Sequence, residues 1–272
     1  MTSANGSEGG LPTTVRRERV ADAVRRSRYT SVTELATAFG VSEVTIRSDL
    51  DALSASGELQ RVRGGAVHRA AGTSEADFEQ EADERVAQKA AIGRAAAALV
   101  ESGQTVMLGS GSTVAAVARA LVARDDVHDL TVITNGLRVA AELERALPRF
   151  TVIVSGGTLR RQQHSLVNPL GTALLGELHA HITIVAGEGV TAEAGLTASN
   201  PADAEIRRLM LDAGRQRVVV ADGPRVGEVS LVHVAPVGGM DLLVTDAEAD
   251  EAAIGALRER EVDVQIAGQA RR

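Results

Sequence analysis

The chain of 272 residues has no cysteine, no tryptophan, one tyrosine and three phenylalanines, and Lys89 is its only lysine. Without cysteine there is neither a disulfide framework nor a thiolate metal site. With so few aromatic rings there is no stacking platform for single-stranded nucleic acid. No apolar run approaches the roughly 18 residues a membrane-spanning helix needs. The first 15 residues also lack the basic start and apolar centre of a secretory signal, so the expected location is the cytoplasm. The six histidines have no metal-ligand spacing: His179 and His181 alternate beside a predicted strand, and His68, His128, His164 and His233 are scattered. No metal and no cofactor is expected.

What is present suffices for a sizeable core, with 44% hydrophobic and 24% charged residues in one large or two smaller domains. The net charge of −7 is uneven, because the first 72 residues carry a small excess of arginine and the acidic excess lies beyond them. A basic end on an acidic body suits phosphate-backbone binding by one module.

Residues 1–12 are Gly, Ser and polar without periodicity and are expected to form a disordered tail. A helix then starts at Thr13 or Thr14 and carries Val15, Val20, Ala23 and Val24, with Arg25, Arg26 and Arg28 at its end. Residues 31–39 predict a short helix burying Leu35, Ala36 and Phe39, stopped by Gly40 in the left-handed conformation. Ser42 caps the next helix, Glu43 to Ala55. At 100° per residue Ile46, Leu50 and Leu53 share one stripe, and Val44, Arg47, Ser48 and Asp51 lie on the other side with Thr45 flanking. Arg47 is also spaced to pair with Asp51. Two helices around a glycine turn, the second polar outside, form a helix-turn-helix whose second helix enters the major groove. After Gly57, residues 58–68 read as two strands around a Gly64-Gly65 turn with Arg61 on the first, which is a wing.

These residues carry a resemblance. Leu35-Ala36, Phe39-Gly40-Val41-Ser42, Thr45-Ile46-Arg47-Ser48-Asp49-Leu50, Leu53, Gly57, Leu59, Arg61 and Gly64-Gly65-Ala66 closely resemble the DeoR family of bacterial regulators. The family usually has a second arginine where this chain has Ser48, and a histidine where it has Arg63. The resemblance and the helical wheel together make Ser42, Thr45, Arg47 and Ser48 the expected groove and phosphate contacts, with Arg61 and Arg63 on the backbone from the wing. The winged helix-turn-helix is expected over 13–70 and an acidic linker over 71–83.

Residues 84–272 predict an α/β domain. A long alanine-rich helix from Glu84 stops near Gly103, and helical segments then alternate with strands at 105–108, 130–134, 151–155, 182–186, 218–221, 242–245 and 262–266. That spacing argues for a mostly parallel sheet covered by helices, whose ligands gather beyond the strand carboxyl ends. Glycine and hydroxyl residues stand at those points: Gly109-Ser110-Gly111-Ser112-Thr113 opening into a helix, Thr134-Asn135-Gly136, Ser155-Gly156-Gly157, Gly187-Glu188-Gly189 and Asp222-Gly223-Pro224-Arg225. The first can cradle a phosphate on backbone N–H groups at a helix start, although no Walker lysine accompanies it.

In this order the loops resemble the effector domain of the same family, whose fold is similar to ribose-5-phosphate isomerase. The resemblance implies effector contacts at Ser110, Gly111, Ser112, Thr113, Thr134, Asn135, Gly156, Gly157 and Asp222, to which Glu188 and Arg225 are added by position. Gly109 replaces the family's usual Asp, Arg225 its usual Lys, and Asn168 a frequent Gly. The implied protein is a repressor of carbohydrate catabolism genes that binds an operator in duplex DNA, senses a phosphorylated sugar and forms a homodimer or higher even oligomer. Two rival readings are a phosphosugar isomerase with a DNA-binding head, for which Glu188 and Asp222 are the acid/base candidates, and a ligand-free oligomerisation platform. The glycine and hydroxyl loops favour sensing, since a pure scaffold does not need them there.

Overall fold

A computed structural model describes residues 13–25, 30–55, 59–62, 65–68 and 78–269. The chain divides into two compact units, Met1–Ser74 and Glu75–Arg272.

The first unit contains α1 (Thr13–Arg25), β1 (Thr30–Ser31), α2 (Val32–Phe39), α3 (Glu43–Ala55), β2 (Leu59–Val62) and β3 (Gly65–His68). α2 opens on a reciprocal cap in which the Glu34 N–H donates to Ser31 Oγ at 3.1 Å and the Ser31 N–H donates to Glu34 Oε2 at 2.8 Å. It closes at Gly40, whose φ of 63° is left-handed. α3 starts as expected, with the Thr45 N–H donating to Ser42 Oγ at 3.1 Å. Ile46, Leu50 and Leu53 pack with Val20, Val24, Val32, Leu35 and Leu59 into a small core.

Two expectations change here. Gly65 is already paired with Val62 in the antiparallel β2–β3 ladder, so it belongs to β3 rather than to the turn. A third strand, β1, pairs Thr30 with Ala66 and was too short to show a period.

Asp49 is buried on α3, where Arg16 Nε and Arg17 Nε of α1 donate to it at 2.6 and 3.0 Å. Burial pushes its carboxyl up, but the hydrogen bonds from Arg16 and Arg17 outweigh this and hold it below 3.8. A carboxyl depressed by folding stabilises above its unfolded value, and that contribution fades as pH falls through the lower folded value. Asp49→Ala is therefore expected to cost about 2–4 kcal/mol at neutral pH, with the gap from the parent narrowing below about pH 4 in melts of the full chain.

The second unit runs α4 (Phe78–Asp83), α5 (Val86–Ala97), β4 (Thr105–Leu108), α6 (Ser112–Val122), β5 (Leu130–Thr134), α7 (Leu137–Leu143), β6 (Phe150–Val154), β7 (Thr158–Arg160), β8 (Ser165–Val167), α8 (Leu170–Leu175), β9 (Ala180–Ala186), β10 (Gly189–Thr191), β11 (Gly195–Ala198), α9 (Pro201–Ala213), β12 (Gly214–Val220), β13 (Val232–Ala235), β14 (Leu242–Thr245), α10 (Glu251–Glu259) and β15 (Asp263–Ile266). Seven strands form one sheet in the order β15-β14-β12-β9-β4-β5-β6, every neighbouring pair parallel.

Because side chains alternate along a strand, the sheet buries two layers. Val106, Leu108, Val132, Ile184, Val218 and Val244 meet Ile92 of α5, Val117 and Leu121 of α6, and Leu143 of α7 on one face. Met107, Ile133, Val185, Val219 and Leu243 meet Leu175 of α8, Met210 of α9 and Leu257 of α10 on the other. Gly93 lets α5 lie against α6, since a Cβ there would sit 2.6 Å from the Ala116 carbonyl.

The seven expected strands are present, β4, β5 and β14 with the expected bounds and the other four with shifted ends. β9 and β12 begin earlier, at Ala180 and Gly214, because polar residues such as His181 and Arg217 hid their starts. β7 and β8 form a hairpin, and β10, β11 and β13 a small antiparallel sheet, neither expected. Residues 78–83, expected as linker, are helix α4 with Phe78 buried in the first core layer. The alanine-rich helix is shorter than expected, spanning Val86–Ala97 behind Arg85, whose φ is 52°. Among the described residues no helix is long and apolar enough to cross a membrane.

Candidate DNA-binding face and effector crevice

The outer side of α3 is open. Ser42, Val44, Arg47 and Ser48 are exposed and Thr45 is half-buried. Ser42 Oγ and Thr45 Oγ1 are 2.8 Å apart, so both hydroxyls are oriented at the helix start. Arg47 Nη2 donates to Glu43 Oε2 at 3.1 Å, one turn back, rather than to Asp51. Glu43 Oε1 also accepts from Thr33 Oγ1 at 2.9 Å, which steadies it against α2. An exposed pair of this kind is worth about 0–1 kcal/mol, so Arg47 is readily given up to a stronger anion. Arg61 stands on β2 opposite Ala66. Arg63 lies outside the described residues.

In the second unit the loops after β4, β9 and β12 converge with α4 and α5 on one crevice at the carboxyl ends of the strands. Gly111, Ser112, Thr113, Glu188, Asp222 and Arg225, all expected from the sequence, line it. Gly111 has φ 109° and begins α6, whose first turn has no side-chain cap. Ser112 and Thr113 are buried there, so hydroxyls and the positive end of a helix meet the crevice together.

Five expected residues lie outside the lining and shape the loops instead. Thr134 Oγ1 accepts from the Gly136 N–H at 3.0 Å and donates to the Gly109 carbonyl at 3.4 Å, tying the loops after β4 and β5. Asn135 Nδ2 donates to the Leu166 carbonyl at 3.1 Å, and its buried Oδ1 has no hydrogen-bond partner among the described residues. Ser110 is buried beside Gly136. Gly156 and Gly157 have φ of 72° and 120°, and a Cβ on Gly157 would be 2.5 Å from the Val167 carbonyl, so they make the bend that returns the chain as the β7–β8 hairpin. Asn168, at the position where the family often has glycine, itself has φ 37°.

The lining also holds residues that sequence reasoning missed or passed over: Glu81 of α4, Glu84, Gln163, Lys89 of α5 and Arg207 of α9. Lys89 stands on the first turns of α5. It is buried, and its Nζ donates to the Glu81 carbonyl. Burial pulls its ammonium below 10.5 against the opposing pull of Asp222, Glu81 and Glu84.

Arg207 is the more informative. Its Nη2 lies 2.7 Å from Glu188 Oε1, while Nε and Nη1 are buried without a hydrogen-bond partner among the described residues. Buried guanidinium donors are rarely left unmatched, because each loses its hydration without return. A signal was available: Asp203 and Arg207 are four apart and fall on the stripe of α9 that also buries Ile206, Met210 and Leu211. Charged residues on an inward face are seldom structural filler.

Glu188 is ionised. Burial works against its charge, but Arg207 and the Ser199 N–H, which donates to Oε2 at 2.8 Å, bring its carboxyl down to about 2. Asp222 faces Arg85 Nε at 3.0 Å, and Arg85 also reaches Asp246 and Glu248. Arg225 Nη2 donates to Glu81 Oε1 at 2.9 Å. A larger groove beside β15 and α10 carries Glu251, Glu261 and Asp263, with Arg258 its one cation among the described residues, so the loop crevice is the candidate.

A winged helix-turn-helix joined to a parallel α/β unit with a ligand crevice at its strand ends defines a transcriptional regulator that binds DNA through one module and a small-molecule effector through the other. The comparisons name the family: residues 16–70 match the DeoR-like helix-turn-helix domain and residues 84–247 the DeoR C terminal sensor domain, and the chain belongs to the DeoR family. It is 32% identical to the HTH-type transcriptional regulator GolR of Listeria innocua over 93% of this chain and 98% of that one. It is also 32% identical to the HTH-type transcriptional repressor CsqR of Escherichia coli over 88% of each. Among solved structures it is similar to ribose 5-phosphate isomerase A of Methanocaldococcus jannaschii, at 16% identity and a TM-score of 0.36, over 50% of this chain and 52% of that one.

Proposed function

We infer that this regulator is a cytoplasmic repressor of carbohydrate catabolism genes whose affinity for its operator is set by a phosphorylated sugar, or a related phosphorylated metabolite, bound in the crevice. The observation that carries the ligand class is Arg207, which lines the same crevice as the uncapped start of α6 and has two buried nitrogens, Nε and Nη1, without a hydrogen-bond partner among the described residues. Donors and a helix dipole brought together in a partly dry site favour a compact, multiply charged anion. The hydroxyls of Ser112 and Thr113 and the carboxylates Glu188 and Asp222 suit the sugar end.

On the DNA side, Ser42, Thr45, Arg47 and Ser48 contact the groove and adjacent phosphates, while Arg61 and Arg63 hold the backbone. Exposed Val44 fits a thymine methyl. Two helix-turn-helix units reading paired half-sites make a homodimer or a higher even oligomer the working form.

A catalytic reading is disfavoured by Glu188. A general base works best with a pKa near the operating pH, and a carboxylate held at about 2 by Arg207 and Ser199 is a poor proton acceptor. Asp222 is occupied by Arg85. Incubation with aldose and ketose phosphates is expected to give no turnover.

The test is a panel of sugar phosphates read by thermal shift and by release from operator DNA. At least one is expected to raise the melting temperature and change operator affinity, with Ser112→Ala and Arg225→Ala blunting both effects. A panel without response overturns the effector assignment.

A further inference from the structure

The crevice contains an anion of its own. Glu81 lies on α4, the first described element after the stretch that joins the two units, and its carboxylate accepts from Arg225 Nη2. Among the described residues Arg225 is the one hydrogen-bond partner given to that carboxylate, whereas Glu188 has donors from both Arg207 and Ser199. The same crevice presents Glu84, Glu188 and Asp222 around it. Burial pushes the Glu81 carboxyl up, and repulsion from Glu188 and Asp222 adds to this against the attraction of Arg225 and Lys89. Glu81 is thus a strained tenant beside better-held neighbours.

The rest of α4 is fixed at its other end. Phe78 is buried and meets the His164 ring edge-on at 5.7 Å, and its N–H donates to the Gln162 carbonyl at 2.7 Å. Glu79 pairs with Arg138 and with His164. The helix is therefore pinned through Phe78 and Glu79 and latched to the crevice through Glu81, whose backbone carbonyl also receives Lys89 Nζ.

The geometry points to Glu81 as an internal ligand: its carboxylate holds Arg225 in the effector-free protein and yields that guanidinium to the effector's phosphate, which frees the latched end of α4. A phosphate outcompetes a carboxylate at arginine because it offers more charge and more acceptor oxygens in the fork geometry. Release leaves α4 held only at Phe78 and Glu79 and able to turn about that end, which is where the chain arrives from its DNA-binding unit, so binding in one unit is passed to the other by covalent connection. This rests on the effector reading above. A ligand bound equally well by the latched and released forms would shift nothing, and the exchange at Arg225 supplies the required difference.

The test uses the full chain and its E81Q variant, titrated with pentose phosphates, hexose phosphates and inorganic phosphate. Glutamine keeps the size of the side chain and removes only the charge. E81Q is expected to bind a responding probe about tenfold tighter than the parent and, without any probe, to show the operator affinity of the probe-saturated parent. Amide hydrogen exchange over residues 79–84 is expected to rise when the parent is saturated. E81A, which removes the carboxylate differently, is expected to move probe affinity in the same direction. A merely structural role for Glu81 would weaken binding or leave it unchanged. Equal or weaker probe binding by both variants, with α4 exchange unmoved, overturns the latch while leaving the effector assignment standing. Binding of no probe to any of the three proteins overturns both.

Discussion

Arg207→Gln is expected to abolish the response to the effector. An anion held by a buried guanidinium typically loses 2–5 kcal/mol when that partner is truncated, so affinity should fall by about 30-fold or more. The same substitution strands Glu188, which is largely buried and depends on Arg207 for its charge. Breaking one half of such a pair costs about 3–5 kcal/mol. The pH dependence separates the two effects. In the parent, Glu188 is depressed from 4.5 to about 2, so its contribution is whole above the unfolded value and is lost as pH falls through the folded one. In Arg207→Gln that acid-dependent contribution should be largely gone, and the two stability curves should converge toward about pH 2. Pairing the change with Glu188→Gln is expected to recover most of the stability and none of the response. Calorimetric melts across this range, beside titration with the responding sugar phosphate, decide the matter; a variant that still binds the effector with parental affinity removes Arg207 from the site.

Arg47→Ala should leave stability within about 0.5 kcal/mol, because only the exposed pair with Glu43 is lost. Operator affinity should nevertheless drop by about 1–3 kcal/mol per recognition helix, and by twice that in a dimer, with reduced discrimination among operator variants. Arg61→Ala is expected to behave differently, weakening binding to all sequences alike and lowering the salt slope by about one ion per site. Gel-shift titration over a range of salt concentrations distinguishes these outcomes. Unchanged affinity in Arg47→Ala, Arg61→Ala and Arg63→Ala alike would remove the face from the interface.

The two units differ in how far they could be read in advance. The helix-turn-helix is governed by local rules that leave marks at short range: the Ser31–Glu34 cap, Gly40 as a left-handed stop, Ser42 at the start of α3, and the 46-50-53 stripe. Each mark lies within a few residues of the feature it controls. The Arg16–Asp49 and Arg17–Asp49 bonds span 33 and 32 positions, and no local rule indicates them.

In the sensor unit the seven parallel strands were legible because buried strands are runs of branched apolar residues, and their glycine-rich exits were legible because tight turns and helix starts demand glycine. Which exits meet was not legible. Thr134, Asn135, Gly156 and Gly157 look as suitable as Ser112 in the sequence, yet they support loops, because strand order and not strand number decides adjacency. α4 was mistaken for linker since six residues, three of them acidic, show little periodicity, and only its docking through Phe78 makes it helix.

The sequence alone determined the protein's class: a capped helix pair with a wing, followed by a sheet built for ligands at its strand ends, because these are written in short-range spacing and residue type. The tertiary structure alone decided the chemistry of the crevice. It brought Glu81, Lys89, Glu188, Arg207 and Arg225 from five separate elements or loops into one partly dry volume. Burial and proximity, which set the charge and partner of each group, exist only once the chain has folded.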